Sequence, residues 1–169
     1  LNYYVSAGYT GEEGIIKVAY FDRFNFRSNI ENQIRPWLKI GANISYSDYT
    51  SNGIISGQGA NRAGVVLSVL NTPTYAPVMD PNNPTQYNTN FYGVNITSPV
   101  ENMARSEDNK SRNNRLISTG SAEITFLPNL KLRSTVTLDR FYNHSTSFLD
   151  PQKTSYGRSM RGVATDNRS

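Results

Sequence analysis

The chain of 169 residues contains no cysteine. That excludes a disulfide framework and any thiolate metal site. It has one histidine, His144, which excludes a multi-histidine zinc centre. Charged residues make up only 18% of the chain, and the net charge of +4 is scattered rather than gathered into a stripe. Nucleic acid is therefore not an expected partner. Tryptophan occurs once, whereas tyrosine occurs 11 times and phenylalanine 7 times. Such a balance suits interfacial girdles or sugar-stacking surfaces. No run approaches the roughly 18 apolar residues that a membrane helix needs. A mean hydropathy of -0.55 still permits a membrane β-barrel, since half of each barrel strand faces water. Taken alone, composition fits an ordinary soluble all-β domain better. No charged n-region and apolar h-region stand at the start, so the chain is expected to be an internal piece of something larger.

What the chain has is long alternation. From Asp22 the odd positions are Arg23, Asn25, Arg27, Asn29, Glu31 and Gln33. The even positions include Phe24, Phe26, Ile30 and Ile34. After Arg35-Pro36-Trp37 the apolar set is Leu38, Ile40, Ala42, Ile44 and Tyr46, interleaved with Lys39, Gly41, Asn43 and Ser45. Strand side chains alternate faces with period two, so each arm has one apolar and one polar face. An arm of about 13 residues at roughly 3.4 Å each reaches on the order of 44 Å. Tilted by roughly 45°, it still clears the ~25 Å apolar band of an outer-membrane barrel. Strands are expected at about 2–9, 22–34, 38–49, 115–126 and 130–142. Residues 10–16 read as a connection, and residues 50–114 as one long loop with a short helical stretch near 62–70. The loop is rich in Pro, Asn and Tyr, and long loops in compact domains are usually functional or disordered. Its aromatics Tyr75, Tyr87, Phe91 and Tyr92 are candidates for contact with substrate or a partner, and equally for a small loop core.

The two hairpins repeat one another. Pro36-Trp37-Leu38-Lys39-Ile40 corresponds to Pro128-Asn129-Leu130-Lys131-Leu132. Pairing residues about each proline sets Ile30 against Ala42, Phe26 against Tyr46, Ile124 against Leu132 and Glu123 against Arg133. A one-residue slip would break both faces. Tight turns then lie at one end and long loops at the other, the asymmetry of outer-membrane barrels. The corners at Pro36 and Pro128 are expected to be periplasmic. Residues 10–21, 50–114 and those after Tyr142 are expected outside the cell. Trp37 and Tyr49 sit near opposite strand ends, where girdle residues belong, although the parity of Trp37 also fits an inward direction. The cations and anions Arg23, Arg27, Glu31, Lys39, Glu123, Lys131 and Arg133 share one parity and are expected to face a lumen. A midplane Arg or Lys on the lipid face costs roughly 2–4 kcal/mol, so this sorting itself speaks for a membrane.

Other motifs are weak. Glu12-Glu13 lacks a partner for acid–base work. Asp80, Asn82 and Asn83 lack the remaining ligands of a calcium loop and read as a proline-bounded turn. His144 has no nucleophile or carboxylate that sequence can assign to it. The four Asn-x-Ser/Thr triplets at Asn43, Asn95, Asn109 and Asn143 read as chance in an Asn-rich chain. No catalytic residue, metal or cofactor is expected, and the chain is not expected to be an enzyme.

The run Tyr4-Val5-Ser6-Ala7-Gly8-Tyr9, Glu13-Gly14-Ile15-Ile16, Phe24-Asn25-Phe26-Arg27-Ser28-Asn29 and Trp37-Leu38-Lys39-Ile40-Gly41-Ala42-Asn43 resembles early barrel strands of SusC/RagA-family TonB-dependent outer-membrane transporters. Pro128-Asn129-Leu130-Lys131-Leu132 fits the next hairpin of that pattern. Arg27-Ser28-Asn29 and Arg35-Pro36 depart from a loosely kept consensus without disturbing the alternation. The resemblance implies an all-β fold, about five strands of a 22-stranded barrel whose plug domain and TonB box lie outside this chain. It implies a Gram-negative, Bacteroidetes-like outer membrane as location, and a SusD-like surface lipoprotein and TonB as partners. Glycans or peptides are the implied cargo. The alternative is a soluble secreted β-sandwich that binds carbohydrate. It would bury Phe26, Ile30, Ala42, Ile44, Ile124 and Leu132 against a second sheet.

Overall fold

Where two alternating segments lie side by side in matching phase, their backbones close a hydrogen-bonded ladder. That is how most of this chain is organised. The computed structural model describes residues 1–55, 64–88, 98–152 and 154–169. Strands β1 (Asn2–Glu13), β2 (Tyr20–Arg35) and β3 (Leu38–Asn52) come first. A loop segment follows with helix α1 (Val65–Asn71), the short strands β4 (Met79–Asp80) and β5 (Asn83–Tyr87), and helix α2 (Pro99–Ser106). Then come β6 (Lys110–Leu127), β7 (Leu130–Leu149), helix α3 (Ser155–Ser159) and β8 (Val163–Arg168). The main sheet is six-stranded in the order β1-β2-β3-β6-β7-β8, and β4-β5 form a separate pair. Every neighbouring pair is antiparallel. The main sheet is open: β1 and β8 are its edges.

The register is the one that alternation requires. Ile30 pairs with Ala42 and Phe26 with Tyr46. Ile124 pairs with Leu132 and Glu123 with Arg133. Both proline corners are built alike. In the first, Gln33 pairs with Lys39 and then Arg35 with Leu38, so two residues of the outgoing arm face one of the return arm. In the second, Thr125 pairs with Lys131 and then Leu127 with Leu130. Each corner therefore carries a β-bulge just before its two-residue turn, a device that sharpens local twist. Gln33 Nε2 donates to the Pro36 carbonyl across the first corner at 3.1 Å. The amide of Thr125 in β6 donates to the Trp37 carbonyl at 2.8 Å, which ties the first corner to the next hairpin.

Unbroken register gives the sheet two unlike faces. Tyr3, Ile30, Ala42, Gly120 and Val136 form one row on the apolar face. Tyr4, Asn29, Asn43, Thr119 and Thr137 form the neighbouring row on the polar face. No second sheet covers the apolar face among the described residues. Leu132 is 56% and Val136 73% exposed, and among the described residues the only buried hydrophobic one is Val65 in α1. A soluble sandwich would bury this face against a second sheet; among the described residues the only other sheet is the two-stranded β4-β5 pair.

The ladders run further than alternation alone indicates. β1 continues to Glu13, β2 begins at Tyr20, β6 begins at Lys110 and β7 reaches Leu149. β8 makes a sixth strand in the main sheet, where five were expected. The reason is chemical. Past Tyr46 the rows carry polar side chains on both faces, for instance Asp22, Thr50, Arg112 and His144 together. Backbone pairing persists there after the apolar signal has faded. Residues 50–114, read as one long loop, hold two helices, a hairpin and the ends of β3 and β6.

Candidate functional site

Two features are candidates for function: the polar face of the sheet, and the cap of loops at one end of it. On the polar face, charges meet mostly along diagonals between strands. Lys39 Nζ lies 2.6 Å from Glu31. Lys131 Nζ lies 3.5 Å from Glu123. Arg115 holds Asp139 with two hydrogen bonds, the shorter 2.5 Å. Arg23 donates to Asn25 Oδ1 at 2.8 Å. Arg133 stands opposite Glu123 in register, yet it is Lys131 that reaches this carboxylate. Arg27 stands between Ser6 and Ser45. All seven charges singled out by parity therefore share this face. These ion pairs lie at the solvent-accessible surface of the sheet, where such contacts contribute little to stability. They order the face more than they stabilise it.

The face has a hollow of about 370 Å³ whose floor includes Gly41, Asn43, Thr119 and Ser121, with Glu31 and Arg133 beside it. Gly41 creates the depth: a Cβ there would lie 2.7 Å from Ser121 Oγ. The lining mixes hydroxyl, amide and charged groups with Tyr3, Tyr4 and Ala42, so it offers both hydrogen bonds and apolar contact.

The cap is held by polar groups. Glu101 of α2 is fully buried, and its Oε1 accepts from the Ser155 amide at 2.7 Å and the Ser155 hydroxyl at 2.6 Å. This carboxylate joins the β3–β6 connection to the start of α3 in the β7–β8 connection. Asn102 donates to Ser68 Oγ at 3.2 Å, joining α2 to α1. Ser106 Oγ accepts from the Ile55 amide at 3.0 Å. Asn52 donates to the Glu107 carbonyl at 3.2 Å, seating the cap on the strand end. Of the aromatics singled out in the sequence, the two that are described lie away from the buried Glu101, Asn102, Ser68 and Ser106. Tyr75 is 72% exposed. Tyr87 is half-buried and pairs with Met79 in the small hairpin. Phe91 and Tyr92 lie outside the described residues. The cap also has an apolar groove of about 350 Å³ between Ile15, Ile16, α1 and Met103 of α2.

Tyr49 requires a correction. Expected in a girdle, it belongs to the polar face, where it opposes Arg23 and lies 5.6 Å from Phe21, centroid to centroid. Its odd parity decides this. The aromatic row of the apolar face is formed instead by Tyr9, Phe24 and Tyr142, aligned through Asp48 and Asn114. Tyr9 donates its hydroxyl to Asp22 at 2.6 Å. Beyond this row, at the loop end, Arg168 donates to Asp166 at 2.8 Å, and His144 lies 2.8 Å from the same carboxylate. The Arg168 guanidinium, with His144 adding to it, holds the Asp166 carboxyl below its usual range.

No family model matches the chain. It is 29% identical over 143 residues to TonB-dependent receptor P26 of Formosa agariphila, an alignment covering 82% of this chain and 13% of the receptor. The chain resembles a segment of a TonB-dependent receptor. Among the described residues the six-stranded sheet does not close and leaves its apolar face exposed. The chain spans about an eighth of the relative's length.

Proposed function

We propose that this chain is a stretch of barrel wall, with its extracellular cap, from a TonB-dependent transporter of the SusC/RagA type in a Gram-negative outer membrane. The observation that carries the reading is the division of every long strand into an apolar and a polar face, kept in register across the sheet. Likeness to a TonB-dependent receptor supports it. The apolar rows from Leu38 to Tyr46 meet lipid. The aromatic row of Tyr9, Phe24 and Tyr142 marks the upper interface, where such residues concentrate. The polar face, with Arg23, Arg27, Glu31, Lys39, Glu123 and Arg133, lines the lumen and meets the plug or passing cargo. The proline corners are periplasmic and the Glu101-centred cap is extracellular. In this reading the chain does no covalent chemistry. It guides a glycan or peptide, gated by a plug, powered through TonB and received from a SusD-like lipoprotein.

The test uses spin labels. Cysteines are placed singly at Ala42, Asn43, Ile44 and Ser45 in the full-length receptor in lipid. Labels at 42 and 44 should collide with oxygen, which concentrates in hydrocarbon. Labels at 43 and 45 should collide with a water-soluble nickel chelate. Equal access of the chelate to all four would overturn the reading.

A further inference from the structure

The cap is seated on the sheet at the last residue of β3. Asn52 pairs with Tyr20 on one side and with Lys110 on the other. It is 5% exposed. Its Nδ2 donates to the Glu107 carbonyl at 3.2 Å. Its Oδ1 is buried with no hydrogen-bond partner among the described residues. The side chain is therefore tied to the cap through its nitrogen. A little further on, the Ile55 amide donates to Ser106 Oγ at 3.0 Å, and the Ile55 carbonyl accepts from the Val65 amide at 3.2 Å. Helices α1 and α2 thus both attach to the short stretch of chain that begins at Asn52.

The residue after Asn52 is Gly53, and no other Asn-Gly pair occurs in the chain. Gly53 is exposed, lies outside the strand, and has nothing within 4 Å of where a Cβ would stand. An asparagine followed by glycine is prone to cyclise, because glycine turns freely and no side chain shields its nitrogen. The Gly53 nitrogen bonds to Asn52 Cγ and the Cγ–Nδ2 bond breaks. Nδ2 leaves as ammonia, taking the proton of the Gly53 amide. Water then opens the cyclic imide at either carbonyl and leaves aspartate or isoaspartate at position 52. No oxidant or reductant enters. Extended backbone at the ladder end turns the Gly53 nitrogen away from Cγ, and the tie to Glu107 holds the side chain. Both restraints must lapse before the ring can close. We propose that Asn52-Gly53 is a self-modifying release for the cap: it is protected while the cap is seated, it deamidates when the cap lifts, and the cap then fails to reseat. The product has oxygen where the donor nitrogen stood, so a carboxylate meets the Glu107 carbonyl at a buried position. Lys110, exposed and opposite in register, draws the new charge toward solvent. Isoaspartate also lengthens the backbone and breaks the pairing with Tyr20 and Lys110.

The test is peptide mapping of the full-length receptor in lipid vesicles, aged in mildly alkaline buffer. Electron-transfer fragmentation separates aspartate from isoaspartate at position 52. Unfolded in urea, the wild-type receptor should convert Asn52 at least about tenfold faster than when folded. Glu101→Ala, which loosens α2 from α3, should raise the folded rate. Gly53→Ala keeps the Asn52 amide and meets open space, and it should lower the rate several-fold in both states. Hydrogen exchange reads the consequence. Residues 98–106 should exchange on the order of tenfold faster in aged wild type and in Asn52→Asp, with residues 110–127 unchanged. Aged Gly53→Ala should match fresh protein. Should Asn52→Asp misfold, aged wild type against aged Gly53→Ala carries the comparison. Equal conversion in the folded and unfolded receptor, no conversion even when unfolded, or modified protein with unchanged exchange at 98–106 each overturns the proposal. None of these results touches the alternation of labels at 42–45, so the barrel reading is decided separately.

Discussion

Gly41 occupies a position where any side chain would strike its neighbour. Its missing Cβ would lie 2.7 Å from Ser121 Oγ across the β3–β6 ladder. Gly41→Val should therefore destabilise the wall by about 1–3 kcal/mol, the usual cost of overpacking a filled site. Ser121→Gly in the same protein should recover most of the loss. Gly120, one residue along β6, meets nothing within 4 Å, so Gly120→Ala should change stability by no more than about 0.5 kcal/mol. Urea unfolding of the full receptor in lipid vesicles measures all three, and equal costs at both glycines would refute the argument. At this scale the sequence was informative about face and silent about partner. Parity alone places Arg23, Glu31, Lys39 and Arg133 together. It could not say that Lys131 rather than Arg133 reaches Glu123, because diagonal contacts depend on side-chain conformation. Arg115 and Asp139, which form the closest ion pair, have the same odd parity. They were legible by the rule that found the others.

Between elements, the two levels of legibility separate sharply. The proline corners were readable because each is local: a Pro-x-Leu-Lys run repeats, and strand period on either side fixes the register. The cap was not. Its central contact joins Glu101 to Ser155 over 54 residues, with no periodicity to announce it. Read from sequence, Glu101 and Asn102 fall inside one long loop, but they are among the most buried of the described residues. The helices themselves are too short to persist without tertiary contacts. The cap should therefore depend heavily on this carboxylate. Glu101→Ala strands the Ser155 amide and hydroxyl and should loosen α3 from α2 by about 2–4 kcal/mol. Glu101→Gln keeps one oxygen acceptor and should cost less. Hydrogen exchange of residues 98–106 and 154–162 reads this directly. Faster exchange confined to both segments is expected, with the strands below unaffected. Unchanged exchange in the alanine variant would show that other contacts hold the cap.

At the scale of the whole chain, the deciding fact is that the main sheet of the described residues is open. β1 presents an unpaired edge along Asn2–Glu13. β8 covers β7 only from His144 to Leu149, with Ser169 bonding Asn143, so residues 130–142 of β7 present a second open edge. Between these edges the apolar face is uncovered among the described residues. In water such a sheet exposes hydrophobic rows and templates for further strand pairing, the two features that drive aggregation. In hydrocarbon each unpaired backbone N–H and C=O costs several kcal/mol, so the same edges forbid stable insertion. Neither solvent suits the piece alone, whereas a closed wall satisfies both demands at once. The 169 residues produced by themselves should therefore fail to give a monodisperse monomer without detergent. Light scattering on a size-exclusion column decides it: aggregates or a detergent-dependent species are expected. A detergent-free monomer showing the two-faced sheet would mean that something else in the chain covers Ile30, Ala42, Ile44 and Leu132, and the wall reading would have to be abandoned for a soluble fold.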